Sequence, residues 1–574
     1  MPDSAEPQGS PEIPRLTPDV VAARRMTFAD LLLARAEDDH SGLLFEDARW
    51  SWREVVRECE VRAAVLTGLR ADGPPAEKLH VGVLLENVPE YIFLLGAAAL
   101  SGATVIGINP TRRGEELAAD IRGVDCDLVV TDSVQRKLLA GIDIGISDDR
   151  ILEVDGPRWQ ERLRAEAGKP WQPPDSARDP ATRLLLTFTS GSTGAPKAVI
   201  CTTGRLTMLA ATNPCALTRA DVTYNAMPLF HGNAIMACWA PSVFTGATFT
   251  MRRTFSVSGF LPDVRRFGVT YFNYVGRSLA YLLSAPESPL ERDTHLRTVF
   301  GTEAAHRDRD EFERRFGVRP IESYGSSEGG VVIRVTPDSP PQSLGRAPEY
   351  MTVEIHDEHG NECPRAAFDA DGRLVNAAEA IGEIVNTTGA AMFEGYYRNA
   401  KATAERIAGT AFRTGDLGYR DEAGFFYFAG RSGDRIRVDS ENFSAAPIER
   451  ILARFPGIAL VAVYPIPDPR TGDRVMATIT LEAGVRFDAE AFGRFLTEQA
   501  DLGTKWAPRI VRIAADIPVT ATRKIDKPLL RRESWLVDDP LYLGDPKSNT
   551  YRPATPEAIA ELWAEYARYG RSPQ

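Results

Sequence analysis

The stretch Leu184–Ile200, LLLTFTSGSTGAPKAVI, decides the reading of this chain. An apolar, strand-forming lead-in gives way to Thr189, Ser190, Gly191, Ser192, Thr193 and Gly194; Lys197 follows, and the chain turns apolar again. Glycines admit close approach, and successive backbone N–H groups form a nest for an anion. The hydroxyls and Lys197 add donors and a cation, so the string suits phosphate oxygens. It is not the Walker A spacing, because Pro196 stands where the second glycine would be needed. A generic Gly/Ser loop would be surface decoration, so the rest of the chain has to decide.

Around the loop, helix-like and strand-like segments alternate from about residue 26 to 430. HVGVLLEN, ATVIGIN and CDLVVTD read as buried strands, and VPEYIFLLGAAALSG as a helix ending at Gly102. Such alternation predicts parallel sheets covered by helices. Residues 156–182 are polar and Pro-rich and read as a surface connection. A second break lies near AGRSGDRIRVDSEN (Ala429–Asn442), after which a compact helix–strand–strand–helix–strand pattern reads as a small α+β domain. The end, TPEAIAELWAEYARYG, reads as a helix with Thr555 as N-cap and Pro556 in its first turn. Its apolar face is Ile559, Leu562, Trp563 and Tyr566, and Gly570 is its stop.

The bulk numbers set limits. At 574 residues the chain is too long for one simple core. A net charge of −12 argues against a nucleic-acid partner, though not against a small phosphorylated ligand. Six cysteines without a CxxC pair read as free thiols of a reducing cytosol, and no His/Cys cluster has zinc-ligand spacing. The Pro-rich, acidic first 25 residues lack signal-peptide character and read as a disordered tail. The longest apolar run is about half a membrane span. The expectation is a cytoplasmic protein without a transmembrane segment, for which peripheral membrane contact stays open.

The quoted loop resembles the phosphate loop of the adenylate-forming (ANL) enzymes. Other motifs of that superfamily follow in order: NAMPLFHGNA (Asn225–Ala234), GTEA (Gly301–Ala304), ESYGSSEGG (Glu322–Gly330), GEIVNTTGAAMFEGYY (Gly382–Tyr397), the segment Arg413–Glu449 and IPVTATRKIDK (Ile517–Lys527). PLFHGNA, FEGYYRNAKATAER, DSENFSAAPIE and YRPATPE look like the fatty acyl-CoA synthetases of the very-long-chain and fatty-acid transport protein type. The resemblance implies an α/β fold. A large N-terminal domain (26–432) would hold two helix-covered mixed or parallel sheets and a small β-barrel-like subdomain, and residues 433–574 would form a mobile α+β lid. The implied activity is ligation in two steps. A fatty carboxylate of medium to very long chain attacks the α-phosphorus of ATP and expels pyrophosphate, giving an acyl-adenylate, and the CoA thiolate then displaces AMP. ATP, Mg²⁺ and CoA are the implied cofactors.

By motif position, Thr189, Ser190, Gly191, Ser192, Thr193, Gly194 and Lys197 would hold the β and γ phosphates. Glu328, with Thr189, would hold Mg²⁺. Tyr324 would stack on adenine with Gly301, Thr302 and Glu303 along its edge, Gly325, Ser326 and Ser327 would join the nucleotide contacts, Asp416 would accept the ribose hydroxyls, and Arg431 would reach the ribose or a phosphate. Lys524 would stabilise the pentavalent phosphorus, with Lys527 as its nearby competitor. His231, Asn233, Tyr274 and Gly276 would border the acid, and Gly433 would be the hinge. Ser440 stands where the hinge motif usually carries glycine. Two other readings compete: an enzyme adenylating an aromatic acid, or even nitrite for coupling to an aryl amine as a diazotase does, without CoA; and a nucleotide-sensing protein without catalysis. The set Lys524, Glu328, Asp416 and Arg431 favours an enzyme.

Overall fold

The computed structural model describes residues 25–71, 79–189, 196–275, 278–302, 304, 306–370, 372–431, 435–438, 441–470, 472–499, 501–503, 505–520, 524–545 and 548–573. They group into two compact units. The first comprises residues up to Val332 with Pro348–Tyr350 and Ala391–Glu405; the second holds Ile333–Ala347, Met351–Ala390 and the chain from Arg406 onward.

The first unit is built on two sheets. One runs in the order Ile151–Glu153, Leu128–Thr131, His80–Leu84, Thr104–Gly107, Arg183–Thr189, Lys197–Thr202. Its neighbours are parallel until the last pair, which is an antiparallel hairpin. The other contains the run Ile321–Gly325, Thr298–Thr302, Tyr271–Val275, Val222–Asn225, Thr248–Met251, Ser41–Phe45, Ala48–Ser51, and these strands are parallel but for the final pair. Continuous apolar strands such as HVGVL are buried on both faces, as parallel sheets require. The helix Pro89–Ser101 is buried nearly throughout and ends at Gly102 in the left-handed conformation (φ 74°), the stop expected from the sequence.

Residues 156–182 differ from expectation. Pro157–Glu166 is a helix, and Trp159 within it is fully buried, its indole N–H donating to Glu90 Oε1 (2.9 Å). Pro157 lies in the first turn, where a proline starts a helix rather than breaking one.

The second unit carries an antiparallel sheet of Val353–His356, Gly382–Asn386, Ala411–Arg420, Ile407–Ala408 and Phe426–Arg431. It continues into the hairpin Arg435–Val438/Glu441–Ser444 and an α+β region. There, strands Ile458–Pro467, Asp473–Leu481, Ile510–Ile513, Leu541–Gly544 and Tyr551–Pro553 form one sheet, with helices including Ala445–Leu452 and Ala489–Glu498. The expected fold class holds: helix-covered parallel sheets, a small antiparallel sheet and a C-terminal α+β part. Thr555 caps the last helix through Ala558 N–H, but of its apolar face only Leu562 and Tyr566 are buried. Trp563 stays 45% exposed, edge-on to Trp535. Among the described residues no helix is long and apolar enough to cross a membrane.

Candidate active site

In the first unit the quoted stretch forms the antiparallel pair Arg183–Thr189 and Lys197–Thr202, with Thr189 opposite Lys197. The Thr189 hydroxyl donates to Lys197 O across the pair (3.4 Å). Ser190, Gly191, Ser192, Thr193 and Gly194, the expected phosphate nest, lie outside the described residues, as do Gly276, Glu303, Gly433 and Ser440.

A third segment joins this hairpin. Ile200 N–H donates to Gly395 O (3.1 Å) and Tyr397 N–H to Ala198 O (2.8 Å), so residues 395–397 line the outer strand. Glu394 accepts from Thr202 N–H and Oγ1, both at 2.7 Å. These bonds carry Tyr396 to Glu328: its hydroxyl donates to Glu328 Oε1 (2.8 Å), and Lys197 Nζ lies 5.4 Å over its ring. Glu328 is buried. Its loop follows the strand Ile321–Gly325, which also brings Tyr324, half-buried, to the same end of the sheet; Ser326 and Ser327 come next. Ser326 O accepts from Gly329 N–H (3.0 Å), and buried Arg205 donates to Ser327 O (2.5 Å) and Ile200 O (2.8 Å). Gly329 has φ 72°, and a side chain there would collide with the Arg205 guanidinium.

Gly301 and Thr302 end the neighbouring strand. A Cβ on Gly301 would sit 2.5 Å from Tyr274 O, so only glycine lets these strands meet. Tyr274 is fully buried. Its hydroxyl donates to Glu322 Oε1 (3.0 Å), which also accepts from Ala304 N–H (2.7 Å).

The segment Asn225–Ala234 is held by two buried asparagines. Asn87 donates to Met227 O (2.9 Å) and Arg252 O (3.0 Å) and accepts from Leu229 N–H (2.8 Å); Asn225 Nδ2 donates to Met227 O (2.9 Å). Gly107 lets Phe230 press on the first sheet, since a Cβ there would meet Phe230 O at 2.6 Å. Half-buried His231 then precedes a short helical turn and the π-turn Ile235–Trp239, a widened geometry common at functional sites. Asn233 accepts from Asn273 Nδ2 (2.7 Å).

In the second unit Asp416 lies opposite Arg431 in the antiparallel pair. Its backbone is fixed by Thr414, whose hydroxyl accepts from Asp416 N–H (3.0 Å) and donates to Ile384 O (2.7 Å). Gly415 has φ 72° and donates its N–H to Glu383 (2.8 Å). Lys524 sits in a loop closed by its own backbone: Thr520 N–H donates to Lys524 O (2.7 Å), and Lys524 N–H donates to Thr520 Oγ1 (3.2 Å). Lys527 is different. It opens the helix Lys527–Glu533 and pairs with Glu449 (2.9 Å), whose carboxylate also accepts from Val463 N–H (2.7 Å).

Burial pushes the Cys201 and Cys238 thiols up to about 12, so neither supplies a thiolate at neutral pH. Among the described residues no three His, Cys, Asp or Glu side chains gather as a metal cluster. A single carboxylate and a hydroxyl, Glu328 and Thr189, nonetheless suit Mg²⁺, which binds through one or two carboxylates plus substrate phosphates. Sequence reasoning gave no role to Tyr396, Arg205 or Asn87. Tyr396 lies inside a quoted motif, yet nothing in its spacing pointed to Glu328.

Residues 33–397 match the AMP-binding enzyme family and residues 447–524 the AMP-binding enzyme C-terminal domain. The chain belongs to the AMP-binding enzyme family. Within the family it is 50% identical to a steroid-22-oyl-CoA synthetase of Rhodococcus jostii over 95% of this chain and 98% of that protein. It is 43% identical to a medium/long-chain-fatty-acid–CoA ligase of Mycobacterium tuberculosis, over 90% and 98% of the two chains. The fold also matches an ATP-bound MatB from Rhodopseudomonas palustris, with a TM-score of 0.77 at 23% identity, over 89% of this chain and 98% of that one.

Proposed function

We propose that this chain is an AMP-forming acyl-CoA synthetase that activates a large apolar carboxylic acid, a fatty acid or a steroid side-chain acid. The observation that carries this reading is the 50% identity to a steroid-22-oyl-CoA synthetase across nearly the whole of both chains. The fatty-acid–CoA ligase at 43% supports the same acceptor and the same apolar class of acid.

The chemistry asks for relief of repulsion between an incoming carboxylate and the triphosphate, which fixed donors and cations supply best. Lys197 and the hydroxyls of Thr189 and its successors would hold the outer phosphates. Glu328 and Thr189 would hold Mg²⁺, which when bound screens the phosphate charge. Asp416 would accept the ribose hydroxyls, a task suited to paired carboxylate oxygens. Lys524 would meet the charge that develops at the α-phosphorus. His231 and Asn233 would border the carboxylate. Residues 433–574 would turn about Gly433 between the two half-reactions, since glycine absorbs large backbone changes at little steric cost.

The test is AMP release by the purified protein with ATP and Mg²⁺, with and without CoA. The panel contains C22 steroid acids, C8 to C18 fatty acids, aryl acids, and nitrite with an aryl amine. CoA-dependent turnover of the first two groups is expected. CoA-independent turnover of aryl acids or nitrite would replace this reading with the diazotase-like one, and no nucleotide turnover would leave a nucleotide-sensing protein.

A further inference from the structure

We infer that Tyr396 is a positioning residue that sets the direction of the Glu328 carboxylate toward Mg²⁺; this rests on the reading of Glu328 as the metal-side carboxylate. A buried carboxylate on a turn can rotate about its side-chain bonds. Here little freedom remains on either side of the contact. The Glu328 turn is tied by Gly329 N–H to Ser326 O and by Arg205 to Ser327 O. Tyr396 is 4% exposed, and its backbone is held against Val199 in an isolated bridge and by its N–H to Thr403 Oγ1 (2.9 Å). Its ring is fixed edge-on by Phe393 (5.0 Å) and lies under the Lys197 ammonium.

The phenol O–H therefore reaches Glu328 Oε1 from one direction (2.8 Å). With one oxygen held by a charge-assisted bond, the carboxylate presents the other in a set orientation. The same ring touches the lysine of the phosphate hairpin and the carboxylate of the metal side. One side chain from a segment some 70 residues beyond Glu328 in sequence thus aligns two charges meant for one triphosphate. Partners that orient a metal's ligands contribute roughly 10- to 100-fold to metal affinity.

The experiment uses the full chain and Y396F, which removes the donor and keeps the ring under Lys197 and beside Phe393. Mn²⁺ binding in the presence of ATP, without acid or CoA, is titrated by electron paramagnetic resonance, and Mg²⁺ dependence is read from acid-dependent pyrophosphate exchange. In Y396F the half-saturating concentration of both metals should rise about 10-fold. At saturating Mg²⁺ the exchange rate should recover to near the parent value, and the melting temperature should fall only by the few degrees that one lost buried hydrogen bond costs. In an E328Q background the same change should have no further effect on Mn²⁺ binding.

Unchanged metal dependence in Y396F, or an additive loss on top of E328Q, overturns the inference, as does a lowered rate that saturating metal does not restore. Should Y396F fold poorly, the comparison of Y396H with Y396L decides it: tighter Mn²⁺ binding by the donor-bearing histidine supports the role, and equal binding overturns it. Because the Mn²⁺ titration needs neither acid nor CoA, it fails independently of the acyl-CoA reading, which fails instead if the parent releases no AMP.

Discussion

At the scale of single residues, two lysines three positions apart separate by what they touch. Lys527 is committed to Glu449, which also anchors Val463, whereas Lys524 sits in a turn closed by Thr520. Lys524→Ala should therefore abolish acid-dependent pyrophosphate exchange while ATP still binds; undiminished exchange would remove Lys524 from its role. Lys527→Ala should keep exchange but cost about 1–3 kcal/mol of stability, since a partly buried carboxylate loses its charged partner. A change in stability under 0.5 kcal/mol in a denaturant titration would contradict that assignment. The charge pair at Asp38 yields a pH test. Hydrogen bonds from Arg219 hold the Asp38 carboxyl down to about 2, below its usual 3.8. A carboxylate with a depressed folded-state value adds stability above its unfolded value and loses it as pH falls toward the folded one. Arg219 is half exposed. Arg219→Ala should thus cost about 1 kcal/mol at pH 7, a cost that shrinks between pH 4 and 2. Melting curves across that range check it, and a cost independent of pH would refute it.

At the scale of elements, Asn87 acts as a staple between the loop after one sheet's central strand and the turn leading to His231. Asn87→Ala would remove the acceptor of buried Leu229 N–H, the donor to Arg252 O and one of the two donors to Met227 O. The expected cost is about 1–3 kcal/mol, with a raised KM for the acid and little change in ATP affinity. Equal loss of ATP affinity would show that this turn and the nucleotide site are not separable. Elements with strong local signals were legible from the sequence: apolar strands such as HVGVL, the helix stopped by Gly102, and the Thr555 cap. The helix Pro157–Glu166 was not, because its surface is polar and its proline looks like a breaker. A single tryptophan anchors it, and one side chain leaves no periodicity to read. The candidate site residues were picked out for the same reason as the strands: each is surrounded by a local pattern. Tyr396, Arg205 and Asn87 act through partners 68, 122 and 140 or more positions away, and spacing along the chain carries no trace of such contacts.

At the scale of the whole molecule, each compact unit has apolar clusters of its own. The first has those around Trp52, Tyr91 and Trp239 and around Phe260 and Phe312; the second has those around Val463 and Phe492 and around Tyr464 and Tyr566. Separate cores can unfold separately. Scanning calorimetry should give a total enthalpy exceeding the van't Hoff value, and a single two-state transition would contradict it.

The outer strand Lys197–Thr202 is also the rim of its sheet, and a rim offers unpaired N–H and C=O groups to any passing extended chain. Here Gly395 and Tyr397 occupy part of that row. The segment that delivers a phenol to a carboxylate therefore doubles as a cover against intermolecular strand addition. Loosening it would invite fibrous self-association at the same time as it withdraws that phenol.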